Sequence, residues 1–284
     1  MYKNLTATKN IVKLPTDYSD YKFKQITWGE GQGAAPVFFC GMDIIESEEL
    51  LLEVAVKLKK IFAEKNLPWV LKCSFDKANR SSVKSYRGPG IEKGLKILAN
   101  IKQKVSVPII TDIHAPEQAE VVAQVADVLQ IPAFLSRQTD LLVAAGKTNK
   151  VINVKKGQFL APWDMKTVAE KIASTGNNKI LLCERGTQFG YNRLVVDFTS
   201  LVYMRNLGYP VIMDCTHAVQ LPGGLGESSG GNREMIPVIA RAASAVGVDG
   251  FFFECHPNPD QALCDGPNAL FLDNLSSLLD SLVL

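Results

Sequence analysis

From residue 37 to the C-terminus, short apolar runs alternate with longer stretches in which apolar residues recur at helical spacing. The first run precedes SEELLLEVAVKLKKIFAEK, where Ser47 is in position to cap a helix and acidic residues follow it. The runs predicted to be strands cover 37–40, 69–73, 108–112, 127–131, 151–155, 180–183, 211–214 and 251–255. The stretches predicted to be helices cover 47–65, 90–104, 116–124, 138–147, 163–174, 198–206, 231–246 and 272–284.

Strict alternation of strands and helices predicts parallel βαβ units, and eight such units favour a closed barrel over an open sheet. The predicted fold is therefore an α/β protein, a (β/α)8 TIM barrel over 37–284 that carries the catalytic site. A chain of 284 residues suits one barrel domain of about 250 residues. Residues 1–36 are polar and irregular, which predicts an N-terminal extension or a short hairpin.

Charge and composition narrow the possible partners. The chain has 31 basic and 29 acidic residues, so its net charge of +2 gives no overall attraction to nucleic acid or membrane. The N-terminus has no apolar core of signal-peptide length, and no apolar run reaches the roughly 18 residues of a membrane span. Six cysteines without a CxxC pair predict buried thiols in a reducing compartment. We therefore expect a cytoplasmic protein that acts on small molecules.

Ionisable side chains gather where the predicted strands end, which is the end at which barrel enzymes place their sites. All three histidines of the chain, His114, His217 and His256, fall there. A single Lys or His at a strand end is more often structural than catalytic, but here every strand ends in an ionisable or amide residue. The cations expected to converge are Lys72, Lys77, Arg80, Lys155, Lys156 and Arg185, whereas Lys84 and Arg87, which lie far along the second loop, either join them or face solvent. In a nearly neutral protein they predict a focused site for a ligand with several negative charges.

The loop LPGGLGESSGGNRE, at 221–234, follows the seventh predicted strand. Its glycines predict a mobile lid over the site. They also end at the start of a predicted helix, where free backbone N–H groups favour phosphate.

Several motifs make the chain resemble the 3-deoxy-D-manno-octulosonate-8-phosphate synthase family, also called 2-dehydro-3-deoxyphosphooctonate aldolase. They include KCSFDKANRSSVKSYRGPG, NVKKGQFLAPW, CERGTQFGYN, DCTHAVQ and FFECHPNPD, and the likeness runs from Phe38 onward. The resemblance implies a transferase of lipopolysaccharide biosynthesis. It would join phosphoenolpyruvate, D-arabinose 5-phosphate and water to give the eight-carbon sugar acid phosphate and inorganic phosphate. A homotetramer without an organic cofactor is also implied.

The resemblance carries individual roles onto this chain. The clamp on the phosphate and carboxylate of phosphoenolpyruvate falls on Lys72, Lys77, Lys155 and Arg185. The site for the pentose phosphate falls on Asn79, Arg80 and Ser81, with Arg137 reaching in from a neighbouring subunit. Further pocket contacts fall on Asp112, Gln130 and Phe134. Lys77 is expected to polarise or protonate the aldehyde oxygen, and His217 with Asp265 to orient or deprotonate the water.

The family that this chain resembles has a branch that binds a divalent metal and a branch that works without one. Asp43, His217, Glu254 and Asp265 converge once the barrel closes, and Asp43 stands where one branch of the family has Cys and binds a divalent metal. The other branch has Asn there and works without one. Three carboxylates beside one imidazole favour Mn²⁺, Fe²⁺ or Mg²⁺, since without a cation one carboxyl should take a proton or recruit Lys77. The alternative is that Asp43 replaces the Asn as a hydrogen-bonding residue.

Three rival functions remain open to test. The related heptulosonate synthase takes a four-carbon aldose, but its motif resembles KPRTS, whereas residues 77–81 read KANRS. A phosphosugar-binding barrel without turnover would not need His217, Glu254 and Asp265. A structural barrel without a ligand would need its buried cations to be paired within the protein, and the sequence suggests no one-to-one register for such pairs.

Overall fold

The eight predicted apolar runs are barrel strands in the computed structural model, which describes residues 8–18, 20–31, 34–224 and 229–284. The strands are β1 Val12–Pro15, β2 Gln25–Trp28, β3 Val37–Ile44, β4 Trp69–Ser74, β5 Ile109–Asp112, β6 Val128–Ile131, β7 Val151–Lys155, β8 Ile180–Glu184, β9 Thr187–Gln188, β10 Leu194–Val195, β11 Val211–Asp214, β12 Gln220–Leu221, β13 Gly230–Gly231, β14 Gly250–His256 and β15 Leu270–Phe271. The helices are α1 Glu48–Lys65, α2 Ile91–Val105, α3 Gln118–Ala123, α4 Thr139–Lys147, α5 Met165–Ala173, α6 Thr199–Asn206, α7 Ile236–Val246 and α8 Leu275–Asp280.

Parallel pairing closes the barrel in the order β3, β4, β5, β6, β7, β8, β11, β14 and back to β3. The closing pairs place Phe251 opposite Phe38, and Gly250 opposite Ile212. Each strand is buried on both faces, which explains why the strands read as continuous apolar runs rather than alternating patterns. The predicted (β/α)8 TIM barrel is confirmed.

Strand β3 continues four residues past its predicted end at residue 40, because Gly41 interrupts the apolar pattern without ending the strand. A Cβ at Gly41 would lie 1.9 Å from the carbonyl oxygen of Lys72, so only glycine lets β3 and β4 approach so closely here. The register between the two strands then shifts between Gly41 and Ile44, which is a β-bulge. This bulge lies beside Asp43 and next to the candidate site.

Helices α7 and α8 are the two that fall furthest short of their predicted lengths. Helix α7 begins at Ile236, after a 3₁₀ turn over Arg233–Met235. Pro237 lies in its first turn, where its missing N–H costs nothing. Helix α8 begins at Leu275, after another 3₁₀ turn over Leu272–Asn274, and ends at Asp280.

Residues 8–31, apart from residue 19, cover the end of the barrel opposite the candidate site. Strands β1 and β2 form an antiparallel hairpin, and the Trp28 ring lies 5.9 Å from that of Phe39. The Tyr21 hydroxyl accepts a hydrogen bond from the backbone N–H of Trp69 at 2.8 Å. The domain boundary at residue 36 stays a prediction.

All six cysteines are free and buried, as predicted. Among the described residues, no helix is long and apolar enough to cross a membrane.

Asp249 joins the hairpin to the barrel. Its carboxylate accepts hydrogen bonds from Arg205 Nη1 at 2.7 Å and from the backbone N–H groups of Val211 and Gly29 at 2.8 and 3.1 Å. Both side chains are buried. The pair therefore links α6, β11 and β14 to the segment that follows β2.

Asp249→Ala is expected to lower the free energy of unfolding by about 3–5 kcal/mol, because it leaves the buried guanidinium of Arg205 without this carboxylate. Asp273→Ala is the matched control. Asp273 is exposed and pairs with Lys57 at the surface, so its loss should cost less than about 1 kcal/mol. Urea unfolding curves of the two variants measure the difference, and equal midpoints would contradict the role of Asp249.

Candidate active site

A cavity open to solvent lies at the carboxyl ends of the barrel strands. Most of the side chains predicted to bind substrate lie along its wall. They are Lys77, Asn79, Arg80, Ser81, Asp112, Gln130, Phe134, Lys155, Arg185, His217 and Asp265. The sequence therefore identified this end of the barrel and most of its lining. Asp43, Lys72 and Glu254 lie beneath the cavity, within the barrel end.

Lys72 is fully buried and holds two of these strand ends together. Its Nζ lies 2.5 Å from Glu254 Oε1 and donates to the backbone oxygen of Asp43 at 2.7 Å. Burial opposes the charge of this lysine, but the carboxylates of Glu254 and Asp43 outweigh it and raise its pKa. Lys72 therefore remains an ammonium that underlies the cavity and does not line it.

Lys77 forms the next ion pair toward the cavity. Its Nζ lies 2.5 Å from Asp43 Oδ1 and 3.6 Å from Asp112 Oδ2. Burial opposes both charges, but Asp112 and Asp43 raise the pKa of Lys77 well above its ordinary value. In the same way, burial opposes ionisation of Asp43, but Lys77 and Lys72 hold its pKa well below the usual range. Lys77 is thus a fixed positive charge on the cavity wall.

Asp214 orients His217 and Lys155 together. Its Oδ2 lies 2.9 Å from His217 Nδ1 and 2.7 Å from Lys155 Nζ. Lys155 also lies over the face of Phe252, at 3.9 Å from the ring centroid. Because Asp214 holds Nδ1, the other ring nitrogen of His217, Nε2, faces two further carboxylates. It lies 3.5 Å from Glu254 Oε2 and 3.8 Å from Asp265 Oδ2. The sequence placed Asp214 at a strand end but predicted no role for it.

Arg185 differs from the lysines of the site because much of its guanidinium is unused. Its Nη2 donates to Gln220 Oε1 at 3.0 Å. Its Nε and Nη1 are buried and, among the described residues, have no hydrogen-bond partner. Burial lowers its pKa, which reflects the cost of keeping this charge out of water. Unpartnered donors on a buried cation that borders a cavity indicate a site for an anion.

Each buried lysine lies within ion-pair distance of at least one carboxylate, a pairing that the sequence did not suggest. The closest pairs are Lys72 with Glu254, Lys77 with Asp43, Lys155 with Asp214 and Lys156 with Glu184. The prediction that as many as eight cations converge on one anion site is therefore wrong in part.

Besides Lys72, three of those eight cations do not line the cavity. Lys156 is fully buried and donates to Thr187 Oγ1 at 2.9 Å, so it stabilises the loop after β7. Arg87 pairs with Asp76 at 2.5 Å, and Lys84 is exposed to solvent. His256 was also expected at the mouth, but its Nε2 lies 3.4 Å from Glu46 Oε1, away from the cavity.

Asn79, Arg80 and Ser81 project from the loop between β4 and α2 into the outer part of the cavity. The Nη1 of Arg80 contacts the sulfur of Cys264. Phe134 is 54% exposed at the mouth. Arg137 is exposed and does not line the cavity of a single chain, where its backbone oxygen accepts a hydrogen bond from Lys171.

Asp112 and Gln130 are held by neighbouring strands. Ser74 Oγ donates to Asp112 Oδ1 at 2.6 Å, and Asn153 Nδ2 donates to Gln130 Oε1 at 3.2 Å. Burial opposes ionisation of Asp112, but Lys77 and Lys72 lower its pKa. Both side chains are therefore fixed before any ligand binds.

The residues predicted to hold a metal do converge. Ligand atoms of Asp43, His217 and Glu254 lie within 4.8 Å of one another, as do those of Asp43, Cys264 and Asp265. Asp43 Oδ2 and Glu254 Oε2 are buried without a hydrogen-bond partner among the described residues. Burial and the charges of Asp43 and Glu254 raise the pKa of Asp265. The charge conflict expected from the sequence is present, and Cys264 is an addition to the set.

Sequence reasoning missed Gln220, which hydrogen-bonds both Arg185 and Asp265, and Gln158, which lines the cavity. Amides carry no charge signal, and Gln220 lies several residues after its strand. Of the predicted lid at 221–234, residues 225–228 lie outside the described residues. Pro222, Gly223 and Ser229 border the cavity.

Comparison with known proteins agrees with this geometry. A family model described as the DAHP synthetase I family matches residues 14–283. A 2-dehydro-3-deoxyphosphooctonate aldolase of Desulfatibacillum aliphaticivorans is 55% identical over 253 residues, which cover 89% of this chain and 93% of that protein. Proteins of the same name from Syntrophotalea carbinolica and Citrifermentans bemidjiense are 55% and 57% identical, over 92% and 89% of this chain and 94% and 92% of their own lengths. The chain therefore belongs to the DAHP synthetase I family, as a member similar to its 2-dehydro-3-deoxyphosphooctonate aldolases.

Proposed function

We propose that this protein condenses phosphoenolpyruvate with D-arabinose 5-phosphate and water to give 3-deoxy-D-manno-octulosonate 8-phosphate and inorganic phosphate. The observation that carries the proposal is the buried guanidinium of Arg185, which has two donors without a partner among the described residues and borders a cavity shared with the KANRS loop. The name shared by the relatives supports the same reaction.

Arg185 and Lys155 bind the phosphate and carboxylate of phosphoenolpyruvate in this proposal. The planar guanidinium offers two parallel N–H donors to a phosphate or carboxylate, which a single ammonium cannot match. Lys155 borders the cavity but shares its charge with Asp214, so Arg185 is the stronger of the two ligands. Lys72 contributes by holding Glu254 and Asp43 in place from below.

The pentose enters from the mouth, where Asn79, Arg80 and Ser81 bind its phosphate and Phe134 forms a wall. Its aldehyde then points down toward Lys77, Asp112 and Gln130. Because neighbouring carboxylates raise the pKa of Lys77, this lysine is a poor proton donor. It keeps its positive charge, which can stabilise negative charge on a nearby oxygen. Lys77 therefore polarises the aldehyde oxygen, which increases the electrophilicity of the carbonyl carbon toward carbon three of phosphoenolpyruvate.

Water adds at carbon two of phosphoenolpyruvate, where positive charge develops, and phosphate leaves by cleavage of its C–O bond. His217 is placed for this step because Asp214 fixes Nδ1 and turns Nε2 toward the carboxylates of Glu254 and Asp265. Asp265 has a raised pKa, which makes its carboxylate a better proton acceptor from the water than an ordinary aspartate would be. No organic cofactor takes part.

The group of Asp43, His217, Glu254 and Asp265 fits a divalent cation. Asp43 Oδ2 and Glu254 Oε2, which are buried and have no hydrogen-bond partner in the part of the chain that the structure describes, are the donors that such an ion would use. One nitrogen and three oxygens suit Mn²⁺, Fe²⁺ or Mg²⁺. When bound, the ion would supply positive charge to polarise the water or the aldehyde oxygen.

The active assembly is a homotetramer in this proposal, because Arg137 lies outside the cavity of its own chain and is free to reach that of a neighbour. The free buried thiols are those of a reducing compartment, which favours the cytoplasm. The product is a precursor of lipopolysaccharide.

Incubation with phosphoenolpyruvate and either arabinose 5-phosphate or erythrose 4-phosphate, followed by measurement of released phosphate, tests the reaction itself. We expect release with the pentose and little with the tetrose. Preference for the tetrose would assign the chain to heptulosonate synthesis, and binding of both substrates without release would leave a non-catalytic barrel.

Arg80→Ala is expected to raise the KM for arabinose 5-phosphate by about 10- to 100-fold, because it removes charged hydrogen bonds to the phosphate. The KM for phosphoenolpyruvate should change little. Arg137→Ala should have the same selective effect if it reaches a neighbouring cavity. Lys84→Ala, on the same loop as Arg80 and exposed, is the matched control. A rise confined to the KM for phosphoenolpyruvate would show that this loop binds the other substrate.

Exhaustive chelation is expected to abolish activity, and added Mn²⁺ to restore it better than Zn²⁺, because the group is rich in oxygen ligands. Equilibrium dialysis gives a second readout that does not depend on turnover. Asp43→Asn should weaken Mn²⁺ binding, whereas Asp280→Asn, an exposed residue paired with Lys65, should not. Full activity of the chelated enzyme without bound metal would mean that Lys72 and Lys77 alone neutralise these carboxylates.

A further inference from the structure

The side chain of Gln220 joins two groups that the proposed reaction uses in separate steps. Its Oε1 accepts a hydrogen bond from Arg185 Nη2 at 3.0 Å, and its Nε2 donates to Asp265 Oδ2 at 2.8 Å. A guanidinium only donates, and an ionised carboxylate only accepts, so the two partners fix which end of the amide faces which group. Among uncharged side chains of this length, an amide supplies both contacts at once.

The backbone around Gln220 holds this side chain in place. Gln220 follows the 3₁₀ turn His217–Val219, and it pairs with Gly231 in the short ladder of β12 and β13. A Cβ at Gly231 would lie 2.6 Å from Cβ of Asn268, so β13 packs directly against the turn that follows Asp265. The distance between Gln220 and the Asp265 turn is therefore set by backbone packing.

The hydrogen bond from Arg185 has a direct effect on its remaining donors. A guanidinium is planar, so fixing Nη2 on Gln220 restricts the directions of Nε and Nη1. These are the two nitrogens that lack a partner in the described part of the chain. Gln220 thus prepares the donors of Arg185 for an anion in the cavity before one arrives.

Asp265 depends on the same amide. Its backbone has a φ of 48°, in the left-handed region, at the start of the turn Gly266–Asn268. Across the residues that the structure describes, no other side chain donates a hydrogen bond to its carboxylate, and His217 Nε2 is 3.8 Å away. The Gln220 amide therefore sets the orientation of this carboxylate relative to His217.

We propose that Gln220 is a positioning residue that couples the phosphoenolpyruvate-binding guanidinium of Arg185 to the Asp265 carboxylate beside His217. The inference rests on the proposed function, since it takes Arg185 as a ligand of the anionic substrate and Asp265 as a group that acts on water. Gln220 itself touches neither reacting carbon. Its loss should therefore affect substrate binding only through Arg185 and turnover only through Asp265.

Gln220→Met, which keeps the length of the side chain and removes both hydrogen bonds, is the variant that tests this coupling. We expect the Kd for phosphoenolpyruvate, measured by calorimetry without aldose, to rise about 10-fold, and kcat to fall about 10- to 100-fold. Gln188→Met, at an exposed position on β9, is the matched control and should change neither value. Thermal unfolding of both variants reports any loss of stability.

Double-mutant cycles separate coupling from a structural role. The effect of Gln220→Met on the Kd should disappear in an Arg185→Lys background, and its effect on kcat should disappear in an Asp265→Asn background. Effects that persist undiminished in both backgrounds, or a Gln220→Met enzyme equal to the wild type, would overturn the proposal. A wild-type enzyme that releases no phosphate would instead reject the proposed function, independently of Gln220.

Discussion

The end of this barrel depends on the mutual neutralisation of buried charges. Consecutive strands deliver a lysine or a carboxylate to the same small volume, and none of these groups can be hydrated well there. Lys72 with Glu254, and Lys77 with Asp43, satisfy this constraint across β3, β4, β14 and the loop after β4. Removing either member would leave an uncompensated buried charge, which is far more costly than the pair itself is stabilising. The pairs therefore fix the strand ends and the groups above them.

This constraint also decides which cations are available to a ligand. A lysine whose charge is already neutralised by a carboxylate attracts an anionic substrate only weakly. A count of lysines in the sequence therefore overestimates the positive charge that is available to a substrate. Arg185 is exceptional because its guanidinium is large enough to hold Gln220 with one nitrogen and present two others. In the proposed function, anion binding is thus concentrated on Arg185 within the barrel and on Arg80 at its mouth. The net charge of the cavity matters less than which donors remain unpartnered.

Much of the fold was predictable because periodicity is local, and seven of the eight barrel strands begin and end within one residue of their predicted bounds. The end of β3 could not be predicted, because β3 continues through Gly41 where that glycine packs against Lys72 of the neighbouring strand. A contact between two strands leaves no trace in the local periodicity. The site was predictable as a set of strand-end residues, yet its pairings were not. Sequence order does not show that Asp214 orients His217, that Lys156 turns to Thr187, or that Gln220 reaches Asp265.

Asp43 illustrates how one carboxylate can set the chemistry of its neighbours. Its negative charge draws the ammonium of Lys77 to 2.5 Å and raises the pKa of that lysine, while it also raises the pKa of Asp265. An uncharged residue at this position would do neither, so Lys77 would be a better acid and Asp265 a weaker base. A cation bound at Asp43 would have the same effect as an uncharged residue there, because it would neutralise the negative charge of Asp43 that Lys77 now neutralises. The residue at position 43 therefore shares with Asp112 the control of how strongly Lys77 holds its proton.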